Sequence, residues 1–130
     1  MQLSATSKYA IKILAFMSNN KSQKYSSKAL SEELSIPYKY LTRIMTKLSK
    51  NGLVISTQGK YGGFSIAKKL NEIKVIDIVV VFDDNNNKKC IIEERDCNFE
   101  DKCIMHDNWQ KPKCAIDDFF TKTTLEDLQN

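Results

Sequence analysis

No stretch of this chain is apolar for anything near the roughly 18 residues that span a bilayer, which excludes a membrane helix. The opening segment, MQLSATSKYAIKI, lacks the basic, apolar and small-residue order of a secretory signal. A reducing, cytoplasmic location is therefore expected, and cysteines there serve as ligands or sensors more often than as disulfides. Histidine occurs once, at His106, and there is no nucleophile–base pair and no glycine-rich phosphate loop. Those absences argue against an enzyme and against a small-molecule substrate. Internal repeats are missing too. The 130 residues, 42% hydrophobic and 28% charged, suit one small domain with an appended element.

Acidic residues are nearly absent from the first half. Residues 1–74 hold thirteen lysines and arginines against Glu32, Glu33 and Glu72, a net of +10. Residues 75–130 hold seven against thirteen acids, a net of −6, so the overall +4 conceals a strong asymmetry. A basic half of this strength is the footprint of a polyanion-binding surface, most simply for nucleic acid. A lysine-rich solubilising surface would have the same composition, so motifs must decide.

Within residues 3–18, Tyr9, Ala10, Ile13, Leu14 and Met17 form the stripe of an amphipathic helix that Asn19 and Asn20 end. Ser26 or Ser27 can cap a short second helix, SKALSEELS, with Ala29, Leu30 and Leu34 inward. Ile36-Pro37 breaks that pattern, and Pro37 suits the start of a third helix running through YKYLTRIMTKLSK to a stop at Gly52. Two short helices about a tight turn make a helix-turn-helix unit. In the third helix Leu41, Ile44, Met45 and Leu48 share one face. Lys39, Thr42, Arg43, Thr46 and Lys50 lie on or beside the other, with no acid among them. A face of cations and hydroxyls can bond base edges and phosphates in a major groove, whereas solvated helix faces usually mix both signs.

All four glycines fall between residues 52 and 63. Leu53, Ile55 and Thr57 alternate, as do Phe64 and Ile66, which predicts two strands about a glycine-rich turn with Lys60 and Tyr61 at the tip. Such a basic hairpin can touch phosphates or a minor groove. The run EIKVIDIVVVF, residues 72–82, fits a buried strand, or a helix with Ile73, Ile76, Val79 and Val80 on one face. The polar DDNNNKK that follows reads as a connector. Beyond it Ile104, Trp109, Ile116, Phe119 and Phe120 are candidate helical contacts, with Pro112 expected to kink or delay the helix. Thr123 or Thr124 is placed to cap a last short turn.

Cys90, Cys97, Cys103 and His106 stand together in residues 90–106, leaving Cys114 as the one other cysteine. Three soft thiolates and an imidazole are a ligand set for zinc or for an iron–sulfur cluster.

The segments LSATSKYAIKIL, IPYKYLTRIMTKLSKNGLV, GKYGGFSIAK, CIMHDNW and TTLEDL occur in an order that resembles the Rrf-type family of winged helix-turn-helix transcriptional regulators, and within it the IscR-like iron–sulfur subgroup. The likeness spans nearly the whole chain. It implies a mainly α fold with a small β-wing, and a helix for the ambiguous 72–82 run. By this likeness, residues 1–83 form a winged helix-turn-helix DNA-binding domain, 84–106 a cysteine-rich cluster loop, and 104–130 a dimerisation helix with a C-terminal turn. A homodimeric repressor bound to a pseudo-palindromic double-stranded DNA operator is implied as well. The family's DNA contacts would fall on Ser27, Lys28, Tyr38, Lys39, Tyr40, Thr42 and Arg43, then on Gln58, Lys60 and Tyr61 of the wing. Gln58 stands where these wings often carry an arginine, so a different target sequence is expected.

The same likeness implies a cluster, 2Fe–2S first, on Cys90, Cys97, Cys103 and His106, sensing redox state, nitric oxide or iron. Two features run against the subgroup pattern. Six residues separate Cys90 from Cys97 where the pattern has five, and the loop holds Glu93, Glu94, Asp96, Glu100 and Asp101. These acids must face water if a negative cluster is to sit among them. The alternatives are a cluster-free thiol sensor using Cys97 and Cys103, with or without Cys114, and a zinc-stabilised regulator, although zinc sites usually show close CxxC pairs. Cys114 is expected to be a small buried residue of the dimer helix.

Overall fold

A computed structural model describes residues 3–83 and 90–129. Helix α1 (Ala5–Met17) begins at Ser4, whose side chain accepts from the Ser7 N–H, and buries Ala10, Ile13, Leu14 and Met17. This is the expected stripe, with Tyr9 at its half-buried edge. A short 3-10 turn, Ser18–Asn20, follows. Helix α2 (Ser27–Leu34) is capped by Ser26, whose hydroxyl accepts from the Ala29 N–H at 3.0 Å. Of its three residues expected inward, Leu30 is buried and Leu34 half-buried, but Ala29 is exposed. A methyl adds too little apolar area to orient so short a helix, which turns on Leu30 instead.

The turn between α2 and α3 (Tyr38–Lys50) is tight. Ser35 takes the left-handed conformation (φ 54°), and the Ile36 N–H returns to the Ser31 carbonyl at 3.1 Å. The Ser31 hydroxyl donates to the Ile36 carbonyl at 2.6 Å, closing the turn from both sides. Helix α3 buries Leu41, Ile44, Met45 and Leu48, all within 1% of full burial. It ends with Lys47 and Lys50 near the negative end of its dipole, and Gly52 just beyond adopts φ 76°, as a helix stop requires.

Strands β1 (Val54–Thr57) and β2 (Gly63–Ile66) form the antiparallel wing, with Val54 opposite Ile66 and Thr57 opposite Gly63. Tyr25 adds a third rung, exchanging two 2.8 Å backbone hydrogen bonds with Phe64. A Cβ at Gly63 would stand 2.9 Å from the Tyr25 carbonyl oxygen, so this approach needs glycine. The expected alternation of Leu53, Ile55 and Thr57 shifts here. Leu53 and Val54 are buried, while Ile55 is 51% exposed. Leu53 precedes the strand and seals the end of α3, so the pleat counts from Val54 rather than from Leu53.

After a 3-10 turn, Leu70–Glu72, helix α4 (Val75–Phe82) settles the ambiguous run as helical. The Asp77 carboxylate accepts from the Lys74 N–H at 2.9 Å, an N-terminal stop signal that β-propensity could not reveal. Its inner face is Val75, Ile78 and Val79; Val80, expected inward, is exposed. The difference follows from the helix starting at Val75, with Ile73 in extended backbone before it. Asp83 pins the end of α4 to the start of α1, accepting from the Ser4 N–H at 3.3 Å and the Ser7 hydroxyl at 2.5 Å. Of the polar connector, residues 84–89 lie outside the described residues.

Helix α5 (His106–Lys122) runs through Pro112 without a break in the assigned helix. A proline costs an i→i−4 hydrogen bond and crowds the turn before it; here the sixteen other helical residues outweigh that cost, and the expected delay does not occur. The chain then returns to the core. Lys74 and Thr124 form a bridge, the Leu125 N–H reaches the Ile73 carbonyl at 2.9 Å, and Leu125 is fully buried. The expected cap is present in reciprocal form: Thr124 N–H donates to the Asp127 carboxylate, and the Asp127 N–H to the Thr124 hydroxyl.

Candidate nucleic-acid interface and cysteine–histidine loop

The groove of packing between α2 and α3 leaves the first turns of both helices outward. Lys28, Tyr38, Lys39 and Arg43 are exposed, Ser27 and Thr42 half-buried. The Thr42 hydroxyl donates to the Tyr38 carbonyl at 2.9 Å, which leaves its lone pairs but not its proton for a ligand. Thr46 repeats this pattern with the Thr42 carbonyl. Tyr40 is half-buried. Its ring packs edge-on to Tyr9 at 5.4 Å, and its hydroxyl shares a hydrogen bond with Thr6. Tyr40 therefore positions α3 against α1 before it can contact anything else. Acids are absent from α3, so its outer face is uniformly positive.

Gln58, Lys60 and Tyr61 sit exposed at the wing tip, where the Lys60 ammonium lies 5.6 Å from the centre of the Tyr61 ring. Tyr61 is 82% exposed. A tyrosine this exposed adds nothing to the core and is free to meet a partner. The structure thus places the ten positions expected to contact DNA on two elements, the α2–α3 pair and the wing.

The loop before α5 is organised by Arg95, the single cation between Lys89 and Lys102. Its guanidinium bonds the Glu93 carboxylate, donates to the Asp101 carbonyl at 2.7 Å and stands 3.9 Å from the Asp101 carboxylate. The Arg95 carbonyl in turn accepts from the Cys90 N–H at 2.8 Å. Sequence reasoning weighed the acids of this loop and passed over Arg95, the signal that was available. All five acids are exposed to water, as a negative group among them would require.

Arg95 draws the loop ends together, and the Cys90 and Cys103 thiols share a hydrogen bond. The Ile92 N–H, followed by the Glu93 N–H 3.4 Å from the sulfur, holds the Cys90 thiol below its usual pKa against partial burial. Partial burial and the bond to Cys90 push the Cys103 thiol up. Cys97 is half-buried. Among the described residues, no three cysteine, histidine or carboxylate side chains converge in a geometry that could hold a metal ion.

His106 opens α5 and is 3% exposed, the one buried residue of that helix. Phe99 packs edge-on against its ring at 4.8 Å, and its Nδ1 is buried without a hydrogen-bond partner. An orphaned buried nitrogen costs about 1–3 kcal/mol, so the pocket is incomplete as it stands. Soft sulfurs and a free imidazole nitrogen are the donor types of an iron–sulfur ligand set, though of these Cys90 and Cys103 alone are already together. Cys114, expected to be buried, is exposed on α5, as is Phe119. Within one chain that helix has nothing packed on its outer side.

The model of the family described as "Rrf2: Iron-dependent Transcriptional regulator" matches residues 3–130. The chain belongs to the Rrf2 family of transcriptional regulators. It is 36% identical over 133 residues to a putative HTH-type transcriptional regulator of Aquifex aeolicus, covering 100% of this chain and 92% of that one. It is 33% identical to the regulator IscR of Pectobacterium atrosepticum over 78% of its own length, a match that spans only 62% of that IscR. Among solved structures, CymR, the global cysteine regulator of B. subtilis, superposes with a TM-score of 0.84 at 22% identity, covering 98% of this chain and 95% of CymR. T. potens IscR superposes at 0.76 with 25% identity, over 98% and 85%. The Rrf2 chain described here is thus a DNA-binding transcriptional regulator with the winged-helix fold. Its relatives are named as regulators, not enzymes, and no helix among the described residues is long and apolar enough to cross a membrane.

Proposed function

We propose that this Rrf2 regulator is a cytoplasmic homodimeric repressor whose hold on a pseudo-palindromic operator is set by an iron–sulfur cluster, 2Fe–2S in type, on Cys90, Cys97, Cys103 and His106. The observation that carries the reading is the buried, unpartnered Nδ1 of His106, three residues along the chain from Cys103 of the thiol pair that Arg95 gathers. His106 Nδ1 would be satisfied as a ligand of such a group, and Cys97 would join Cys90 and Cys103 in holding it. When bound, the cluster supplies a redox-sensitive and iron-dependent state. The chain's own residues do the rest: Arg95 sets the loop path, Phe99 fixes the imidazole, and His106 passes any change in the loop to the start of α5.

Support for the dimer comes from α5, which buries one residue of seventeen and leaves Phe119 on its free side. Two copies pairing through this helix would set the distance between two α3 helices, each reading one half-site with Lys39, Thr42 and Arg43 while Gln58, Lys60 and Tyr61 follow the backbone. Linkage then requires that whatever favours one dimer geometry also changes DNA affinity.

Anaerobic purification with an absorption spectrum and iron and sulfide assays tests the cluster. Cys97→Ala should abolish the chromophore while leaving the melting curve of the cluster-free protein unchanged; a variant still coloured after reconstitution removes Cys97 from the ligand set.

The Cys90–Cys103 contact favours a second reading, a thiol switch. Hydrogen peroxide would take one hydrogen from each thiol, forming one S–S bond and two waters. The pair differs from the Cys97 and Cys103 expected of a thiol sensor, because Arg95 folds the loop back on itself. Peptide mapping after peroxide treatment of cluster-free protein identifies it: a Cys90–Cys103 crosslink supports the switch, and only reduced or overoxidised thiols reject it.

A further inference from the structure

A cavity of about 230 Å³ opens between the start of α1, the outer edge of α3 and the end of α4, lined by Thr6, Tyr40, Arg43, Ile44, Lys47 and Phe82. Its chemistry is divided. Ile44 and Phe82 make an apolar floor, and the Lys47 ammonium stands 5.7 Å from the centre of the Phe82 ring. Arg43 and Lys47, one turn apart on α3, bring two positive charges to the rim. Like charges at this spacing destabilise a helix unless an anion lies between them. Among the described residues neither has a carboxylate partner within ion-pair distance. Asp83, next in the chain to Phe82, is already committed to Ser4 and Ser7. The hydroxyls of Tyr40 and Thr6 share one hydrogen bond, which leaves one proton of the two for an occupant.

We infer that this cavity is an effector site for a small organic acid, a carboxylate on a compact apolar body. The carboxylate sits between Arg43 and Lys47, and the body fills the space over Ile44 and Phe82. The volume lies below the roughly 300–1,000 Å³ of drug-sized ligand sites, which limits the body to a single ring or a short branched chain. Inorganic phosphate, or a phosphate of the DNA backbone, would satisfy the cations but leave the apolar floor bare. Arg43 is also the cation of the α3 outer face, and a guanidinium turned into the cavity is withdrawn from DNA. Occupancy should therefore oppose DNA binding, a consequence that rests on the reading of Arg43 as a DNA contact.

The test begins with free protein and no DNA, so it is independent of that reading. Benzoate and inorganic phosphate are titrated separately into isotope-labelled protein at constant ionic strength. Saturable benzoate shifts centred on Thr6, Ile44 and Phe82 are expected, with phosphate much weaker. Lys47→Met, at an exposed position that should not disturb folding, should weaken benzoate about tenfold, the value of one charge-assisted hydrogen bond. Phe82→Ala should weaken benzoate but not phosphate. No saturation at millimolar benzoate, unchanged affinity in Lys47→Met, or phosphate binding as tightly as benzoate would each overturn the site. A second titration measures binding to a duplex with and without benzoate against a chloride control. Weakened binding supports the opposition between ligand and DNA, and equal binding overturns that opposition alone.

Discussion

Residues 3–83 and 90–122 are held by different physics. In the first, α1 to α4 and the wing share one apolar core, and every helix contributes at least one side chain fully withdrawn from water. In the second, a loop is tied by Arg95 and a thiol pair, and a helix of seventeen residues buries only His106. Ile104 beside it is 90% exposed. Burying a large aliphatic side chain is worth roughly 1.5–3 kcal/mol, whereas exposed ion pairs such as those of Arg95 add about 0–1 kcal/mol. The first region therefore has the larger apolar stabilisation within one chain, and the second has little of it. On the proposed function, that division would let the DNA-reading part hold its shape while the cysteine loop changes. The last residues complicate it, because Leu125 and the Gln129 side chain, bonded to the Ser18 hydroxyl, return the chain to the first region.

The sharpest way to test that division is to cut each region at one side chain. Leu48→Ala, deep in the first, should cost about 2–5 kcal/mol in urea unfolding. Leu125→Ala should cost nearly as much although it lies beyond the open helix, and a loss below about 1 kcal/mol would detach the tail from the core. Arg43→Ala should leave stability alone and weaken operator binding by about 1–3 kcal/mol if the guanidinium reads a base. An unchanged footprint would end the groove reading of α3. The smallest effect is expected at Asp83, the clasp between α4 and α1. Burial works against its ionisation, but hydrogen bonds from the Ser7 side chain and from the Ser4 side chain and N–H outweigh that, holding its pKa below 3.8. A depressed carboxylate adds stability that is fully present above the unfolded value and fades as pH falls through the folded one. The stability difference between the native chain and Asp83→Asn should thus be constant at neutral pH and vanish on the acid side of 3.8. A difference that grows on acidification would reverse the assignment.

Legibility followed the same division. The α1 stripe, the Ser26 cap and the four inward residues of α3 were readable because helical periodicity and capping are local rules. The wing was readable as a hairpin, but its inner face was not, since one residue of register decides which side chains turn inward, and here Leu53 belongs to the helix end. The 72–82 run was undecidable by periodicity alone, and the resemblance carried the choice of helix. The delay expected from Pro112 does not occur, since the helix already begins at His106. In the loop, ligand types were plain from the four residues, but which thiols meet was not: contact across thirteen positions depends on the path that Arg95 imposes.

By itself the sequence determined the basic half, the helix-turn-helix with its acid-free α3, the glycine-tipped wing and the grouping of three cysteines with the one histidine, because each rests on residue type and short-range spacing. Only the tertiary structure decided that Cys90 meets Cys103, that His106 is buried with one nitrogen unpartnered, that Leu125 belongs to the core, and that Arg43 and Lys47 border a cavity with Phe82. Those four facts join residues far apart in the chain, and no local rule fixes where a chain returns to itself.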